Sequence, residues 1–209
     1  MLLNIFRLGP LGANCYLLWD VATSQAVLID PGGEGDFLCE KLLSLKLNLK
    51  YIVLTHGHFD HILGVLPLKL SFNPRVCIHG DDLFLYQNAA KSALHWIGER
   101  GDPLPYPDLF LKNNDTLKVG NTILRIIKTP GHTPGSISLY NKRDGTIFTG
   151  DTLFSGAVGR TDLSYSNPAS LTRSLQKLLS LPGETKLYPG HGKSSTIGLE
   201  RHGRREELA

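Results

Sequence analysis

The chain has 209 residues, 41% of them hydrophobic and 20% charged, with a net charge of +3. That balance excludes a disordered or fibrous chain and supplies enough length for a core without disulfide staples, so a single domain over residues 1–209 is expected. A mean hydropathy of -0.08 and the lack of any long apolar run exclude a membrane-spanning helix, and so mild a positive charge does not point to nucleic acid.

Cys15, Cys39 and Cys77 are odd in number and widely spaced, with no Cys-x-x-Cys pair. This argues against a disulfide framework or a zinc knuckle and for a reducing, cytoplasmic location. The first twenty residues lack the charged start and small-residue cleavage site of a signal peptide.

In chain order, residues 4–8, 15–19 and 25–30 read as strands. Gly9-Pro10 and Thr23-Ser24 between them predict antiparallel pairing through short turns. Pro31-Gly32-Gly33 breaks the pattern, and 36–47 has helical apolar spacing. Residues 49–54 read as a buried strand that ends at Thr55. A helix over 61–71 and a strand over 75–78 follow. The stretch 80–108 reads as a helical excursion, amphipathic around 83–96, with a stiff Pro-rich exit; it is either a wall over a site or a surface crossover. Strands are predicted over 115–119, 122–128, 136–140 and 146–149. A helix over 168–181 carries Pro168 in its first turn, and a last strand covers 185–188. Residues 200–209, with Arg201, Arg204 and Arg205, read as a solvated tail. Each half runs strands, then helices. The pattern predicts an α/β fold, a four-layer αββα sandwich of two mixed β-sheets flanked by helices, with site loops along one edge.

The chemistry concentrates in Thr55-His56-Gly57-His58-Phe59-Asp60-His61, directly after a buried strand. In a strand-to-helix loop, residues two apart point the same way, so His56 and His58 can share a metal. Asp60 and His61, expected to open the next helix, can face a second one. Imidazole and carboxylate donors suit zinc, iron or manganese. Two metals need more donors. Thr129-Pro130-Gly131-His132, Thr149-Gly150-Asp151 and Pro189-Gly190-His191 each place a ligand-type residue and a glycine at a strand end. Asp30 also stands at a strand end, either orienting a ligand or capping a turn. His79, His95 and His202 read as structural.

Together with Phe148-Thr149-Gly150-Asp151 through Gly159-Arg160-Thr161-Asp162-Leu163, these segments resemble the metallo-β-lactamase superfamily of metallohydrolases. They are most similar to its small glyoxalase II-like (hydroxyacylglutathione hydrolase) branch, over about residues 8–199. The resemblance implies that His56, His58 and His132 bind one metal and Asp60, His61 and His191 a second, with Asp151 bridging. Zinc is the expected metal. It further implies a dinuclear hydrolase in which hydroxide formed between the ions attacks a thioester such as S-lactoylglutathione, with Asp60 taking the water's proton. The expected partner is a small-molecule thioester, not nucleic acid or a membrane. Arg160 is expected either to anchor a substrate carboxylate or to pair with Asp162. Asp162 stands where glutathione-binding members carry an aromatic hydroxyl. Gly192-Lys193 stands where they carry Glu-Tyr, so Lys193 is expected to replace part of that contact. With so short a stretch after His191, the helical glutathione-holding domain of longer relatives is expected to be absent.

The alternative within the superfamily is a persulfide dioxygenase, with one iron on His56, His132 and Asp151; Gly159-Arg160-Thr161-Asp162 resembles that branch equally well. A nucleic-acid-binding module lacks its basic face. The His-x-His-x-Asp-His order, with Asp60, argues against β-lactam cleavage.

Overall fold

The computed structural model describes residues 1–203. Two six-stranded mixed sheets form its centre. The first is ordered β1 (Leu2–Leu8), β2 (Ala13–Trp19), β3 (Gln25–Ile29), β4 (Asn48–Val53), β5 (Arg75–His79) and β6 (Leu109–Leu111). β1, β2 and β3 pair antiparallel through short turns, as predicted. β3 to β6 pair parallel, and parallel neighbours require helical crossovers. Those crossovers are α1 (Gly35–Ser44), α2 (Val65–Phe72) and the pair α3 (Leu83–Gln87) and α4 (Ala89–Ile97).

The second sheet runs from β7 (Thr116–Val119) at one edge through β8 (Thr122–Lys128), β9 (Ile137–Asn141), β10 (Thr146–Gly150) and β11 (Lys186–Pro189) to β12 (Ser195–Thr196). Its one parallel pair, β10 with β11, is connected by α5 (Pro168–Leu179). The chain then enters α6 (Ile197–Gly203).

Alternation along the strands builds the layers. Tyr16, Val27, Ile29 and Val53 of the first sheet meet Leu124, Ile126, Leu139 and Phe148 of the second in the inter-sheet core. The intervening Cys15, Leu17 and Leu28 face Leu38, Leu42 and Leu68 of α1 and α2. On the far side, Ile127 and Ile147 pack on Leu171, Leu175 and Leu178 of α5. This is the predicted four-layer sandwich, and each fully buried Leu or Ile adds roughly 1.5–3 kcal/mol. Among the described residues no helix is long and apolar enough to cross a membrane. The three cysteines are buried and free.

Four expectations need correction. The first helix stops at Ser44 because Lys46 turns left-handed, with Lys46 N–H on Leu43 O and Leu47 N–H on Leu42 O closing the end. No helix begins at His61. Residues Phe59–His61 form a single 3-10 turn, and α2 opens only at Val65. Pro67 explains this: a helix running from His61 would put it in the interior, where it lacks a donor and clashes, whereas a start at Val65 puts it in the first turn. The amphipathic run around 83–96 is two helices, broken at Asn88. The tail is structured through Gly203. Arg201 donates from Nε to Leu179 O at 2.7 Å, and buried Glu200 accepts from Gly156 N–H at 2.8 Å. Arg204 and Arg205 lie outside the described residues. β6, β12 and α6 were not anticipated.

Candidate metal centre

The loop after β4 brings His56, His58, Asp60 and His61 to the edge of the first sheet. His132, Asp151 and His191 follow β8, β10 and β11 at the adjoining edge of the second. Hydrogen bonds across this edge set the spacing: Ile137 N–H to Thr55 O at 2.9 Å, and Asn14 N–H to Gly190 O at 2.7 Å. Glycine at 190 is obligatory, since a Cβ there would collide with Asp151 Oδ1.

All seven predicted donor residues converge. His56, His58 and His132 form one group of donors, and Asp60, His61 and His191 another, with donor atoms within 4.8 Å of one another in each. His58 Nδ1 lies 3.0 Å from His132 Nε2, and His61 Nε2 lies 3.2 Å from His191 Nε2. Asp151 sits between the groups, with Oδ1 3.6 Å from His61 Nε2 and Oδ2 3.8 Å from His132 Nε2 and 3.7 Å from His191 Nε2. Zinc–nitrogen bonds of about 2.0–2.1 Å at tetrahedral angles put ligand nitrogens roughly 3.3 Å apart, which matches these separations. His56 Nε2 and Asp151 Oδ1 are buried with no hydrogen-bond partner. Buried polar atoms are ordinarily satisfied, so two orphans aimed into one cluster of ligand atoms fit a pair of cations.

The outward nitrogens are held by their own partners. His132 Nδ1 donates to Arg160 O at 2.9 Å, which turns its Nε2 inward. Asp30 resolves to an orienting role. Its Oδ1 accepts from Thr55 N–H at 2.7 Å, and its Oδ2 accepts from the Thr55 hydroxyl at 2.6 Å and from His61 Nδ1 at 3.2 Å. The Thr55 oxygen in turn accepts from His56 Nδ1 at 3.0 Å. Asp30 also lies within ligand range of His56 and His61, but its oxygens are committed to these bonds. His58 alone presents Nδ1 inward, and its Nε2 donates to the Tyr165 hydroxyl at 2.8 Å.

The electrostatics follow from burial among like and unlike charges. Burial, then His132, pushes the His58 imidazole down to about 3. Burial, then His61 and His58, holds His56 well below its ordinary value. Burial opposes charge on His61 too, yet Asp60, Asp151 and Asp30 override it and raise the ring to about 10. Burial also works against the Asp60 carboxylate, but His61 and His191 keep it well below the usual range. Carboxylates that stabilise a charged imidazole this strongly favour any cation placed among them.

Three residues of this site escaped the sequence. Asp82 is fully buried and ties the two histidine loops together. Its Oδ2 accepts from Gly57 N–H at 2.9 Å and from the Thr133 hydroxyl at 2.7 Å, and its Oδ1 accepts from Gly135 N–H at 2.6 Å. Burial pushes its pKa up, against these donors. Thr55 and Tyr165 are the others. No local signal marks Asp82 or Tyr165, whereas Thr55 stood inside the quoted motif. His79 is structural as expected, its Nδ1 accepting from Asp81 N–H at 3.1 Å.

A cavity of about 270 Å³ opens over the cluster, lined by His58, Asp60, Asp151 and His191 and walled by α4. The 80–108 excursion is therefore a wall of the site. Arg160 lines the same cavity, but its fork holds Asp162 through Nε–Oδ1 and Nη2–Oδ2, each 2.7 Å. That pair uses Nε and one N–H of Nη2, which leaves the other N–H donors of the guanidinium for a second acceptor. Lys193 is exposed and does not line the cavity.

Comparison with known proteins agrees with this geometry. The family model described as the metallo-beta-lactamase superfamily matches residues 8–191. Hydroxyacylglutathione hydrolase GloC of Haemophilus influenzae is 35% identical, the match covering 96% of this chain and 95% of that protein. Among solved structures, BLEG-1 B3 metallo-beta-lactamase superposes with a TM-score of 0.91 at 33% identity, covering 100% of both chains. TTHA1623, solved in a di-iron-bound form, superposes with a TM-score of 0.87 at 38% identity, covering 96% of this chain and 98% of that one. The fold, a family match over residues 8–191 and a set of clustered donors agree, and the chain belongs to the metallo-beta-lactamase superfamily.

Proposed function

We propose that the protein is a dinuclear metal-dependent hydrolase that cleaves a thioester of the hydroxyacyl-glutathione class, such as S-lactoylglutathione. The observation that carries this is the pair of donor triads joined by Asp151 at the floor of an open cavity. The likeness to a hydroxyacylglutathione hydrolase and to a di-iron structure supports it.

In this reading His56, His58 and His132 would hold one ion and Asp60, His61 and His191 the other, with Asp151 between the two sets; zinc would suit the nitrogen-rich donor set. Two divalent ions held there supply a water of near-neutral pKa and polarise the substrate carbonyl. The chain's own contribution is orientation. Asp30 fixes the rings of His61 and, through Thr55, His56, and Tyr165 fixes His58. Asp60 Oδ2, 3.2 Å from His191 Nε2, supplies the carboxylate of the second triad. The mononuclear iron alternative uses His56, His132 and Asp151 and leaves the complete second triad without a role.

The test is loss of thioester absorbance from S-lactoylglutathione with metal-loaded protein, with and without chelator. Parallel arms follow oxygen uptake with glutathione persulfide and ring opening of a chromogenic β-lactam. Chelator-sensitive thioester cleavage without oxygen uptake is expected. Oxygen uptake or β-lactam turnover by a protein inert toward thioesters overturns the reading.

A further inference from the structure

The cavity has two unlike walls. On the side of His132 its rim is formed by Arg160, whose guanidinium pairs with Asp162, with Leu163 and Tyr165 beside it. On the side of Asp60 it is apolar. α4 packs against the 3-10 turn that carries Asp60 and His61 and presents Trp96 and Ile97, joined by Leu11 and Phe59. Trp96 is 60% exposed and Leu11 52% exposed, although both border the cavity above the metal-ligand atoms. Large apolar groups left in water beside a reaction centre mark a binding surface. Among the described residues lining this cavity, Arg160 is the only lysine or arginine, and it already carries a carboxylate partner.

We infer that the wall of Trp96, Ile97 and Leu11 seats an apolar acyl group, so that the protein selects thioesters of hydrophobic acids over short hydroxyacids. This rests on the thioester-hydrolase reading and shifts its preferred substrate from the lactoyl ester to esters of hydrophobic acids, the lactoyl ester remaining a slower substrate. The assignment to the acyl half follows from chemistry. Glutathione carries its charges at both ends, on the γ-glutamyl amine and carboxylate and on the glycine carboxylate, so the acyl half of such a thioester is the part suited to cover an apolar wall. With the carbonyl over the cluster, the two halves then extend to opposite sides, the thiol toward Arg160 and the acyl group toward α4.

The experiment compares S-hexanoylglutathione with S-lactoylglutathione, which share a thiol and differ in the acyl group. Partial burial of the added methylenes gives the hexanoyl ester a kcat/KM about tenfold higher in the wild type. Trp96→Ala collapses that ratio toward one, and Trp96→Phe keeps most of it. A second arm measures binding by calorimetry with the unreactive thioethers S-hexylglutathione and S-methylglutathione. The hexyl compound binds about tenfold more tightly to the wild type, and the gain disappears in Trp96→Ala. Thioester cleavage with no hexanoyl preference, or a preference that Trp96→Ala leaves intact, overturns the inference and spares the hydrolase reading. No cleavage of either ester, with the hexyl preference in binding retained, overturns the hydrolase reading and spares the wall.

Discussion

Asp82 does more for this site than its place in the sequence suggests. Its two carboxylate oxygens take three donors, one from the His56–His58 loop and two from the loop after His132. A neutral amide offers only one acceptor oxygen, so Asp82→Asn turns an NH₂ group toward a buried donor. The expected result is a stability loss of about 1–3 kcal/mol and a 10–100-fold weaker hold on metal, the usual scale for groups that orient ligands. Chelator competition and denaturant titration measure both. Unchanged metal affinity contradicts the clamp. Residues of this kind explain what the sequence did and did not disclose. The seven donors were legible because each follows a strand within a short run of His, Asp and Gly. Asp82 was not, because its partners lie 25 to 53 residues away and only the folded chain brings them together. Tyr165 was hidden for the same reason, 107 residues from His58.

Among elements, the legible ones were those long enough to show a period. β2 and β8 lie where strands were expected, and α5 starts at Pro168 as expected and ends at Leu179, two residues short of the expected end. β6 has three residues and β12 two, too few to show any period, and each exists because a neighbouring strand offers an edge. The fastening of β6 is specific. Asp108 N–H donates to Val76 O, Asp108 Oδ2 accepts from Val76 N–H at 2.8 Å, and Lys69 Nζ reaches the same oxygen at 2.9 Å and Pro74 O at 2.9 Å. This closes the excursion that walls the cavity. Burial favours the neutral acid at Asp108, but the Val76 amide and Lys69 outweigh it and lower the carboxyl pKa. A depressed folded-state pKa gives stability that is present above the unfolded value and lost as pH falls through the folded one. Asp108→Asn is therefore expected to cost about 0.5–1 kcal/mol at neutral pH, the scale of a largely solvated pair. The gap to wild type closes below about pH 4. Equilibrium unfolding across this range checks it, and a gap that persists undiminished to about pH 3 contradicts the ionic origin.

At the scale of the whole molecule, the two sheets share a core along their faces and are locked together at one edge. There Tyr16 donates its hydroxyl to Pro189 O at 2.5 Å and Asn14 Nδ2 donates to the same carbonyl at 2.9 Å. The donors straddle that seam: His56, His58, Asp60 and His61 come from the first sheet's loops, and His132, Asp151 and His191 from the second's. Each ion of a bound pair would thus bridge loops of both sheets. The seam was only partly readable beforehand. The corrections at Lys46 and Pro67 are local matters, but which loops share an edge depends on how two separately formed sheets stack. The most direct measurement is metal content per chain after reconstitution with zinc, iron or manganese and removal of the excess. Two ions per chain are expected, both removed by chelator. A stable single ion per chain with any of these metals saturating, or none, would contradict it.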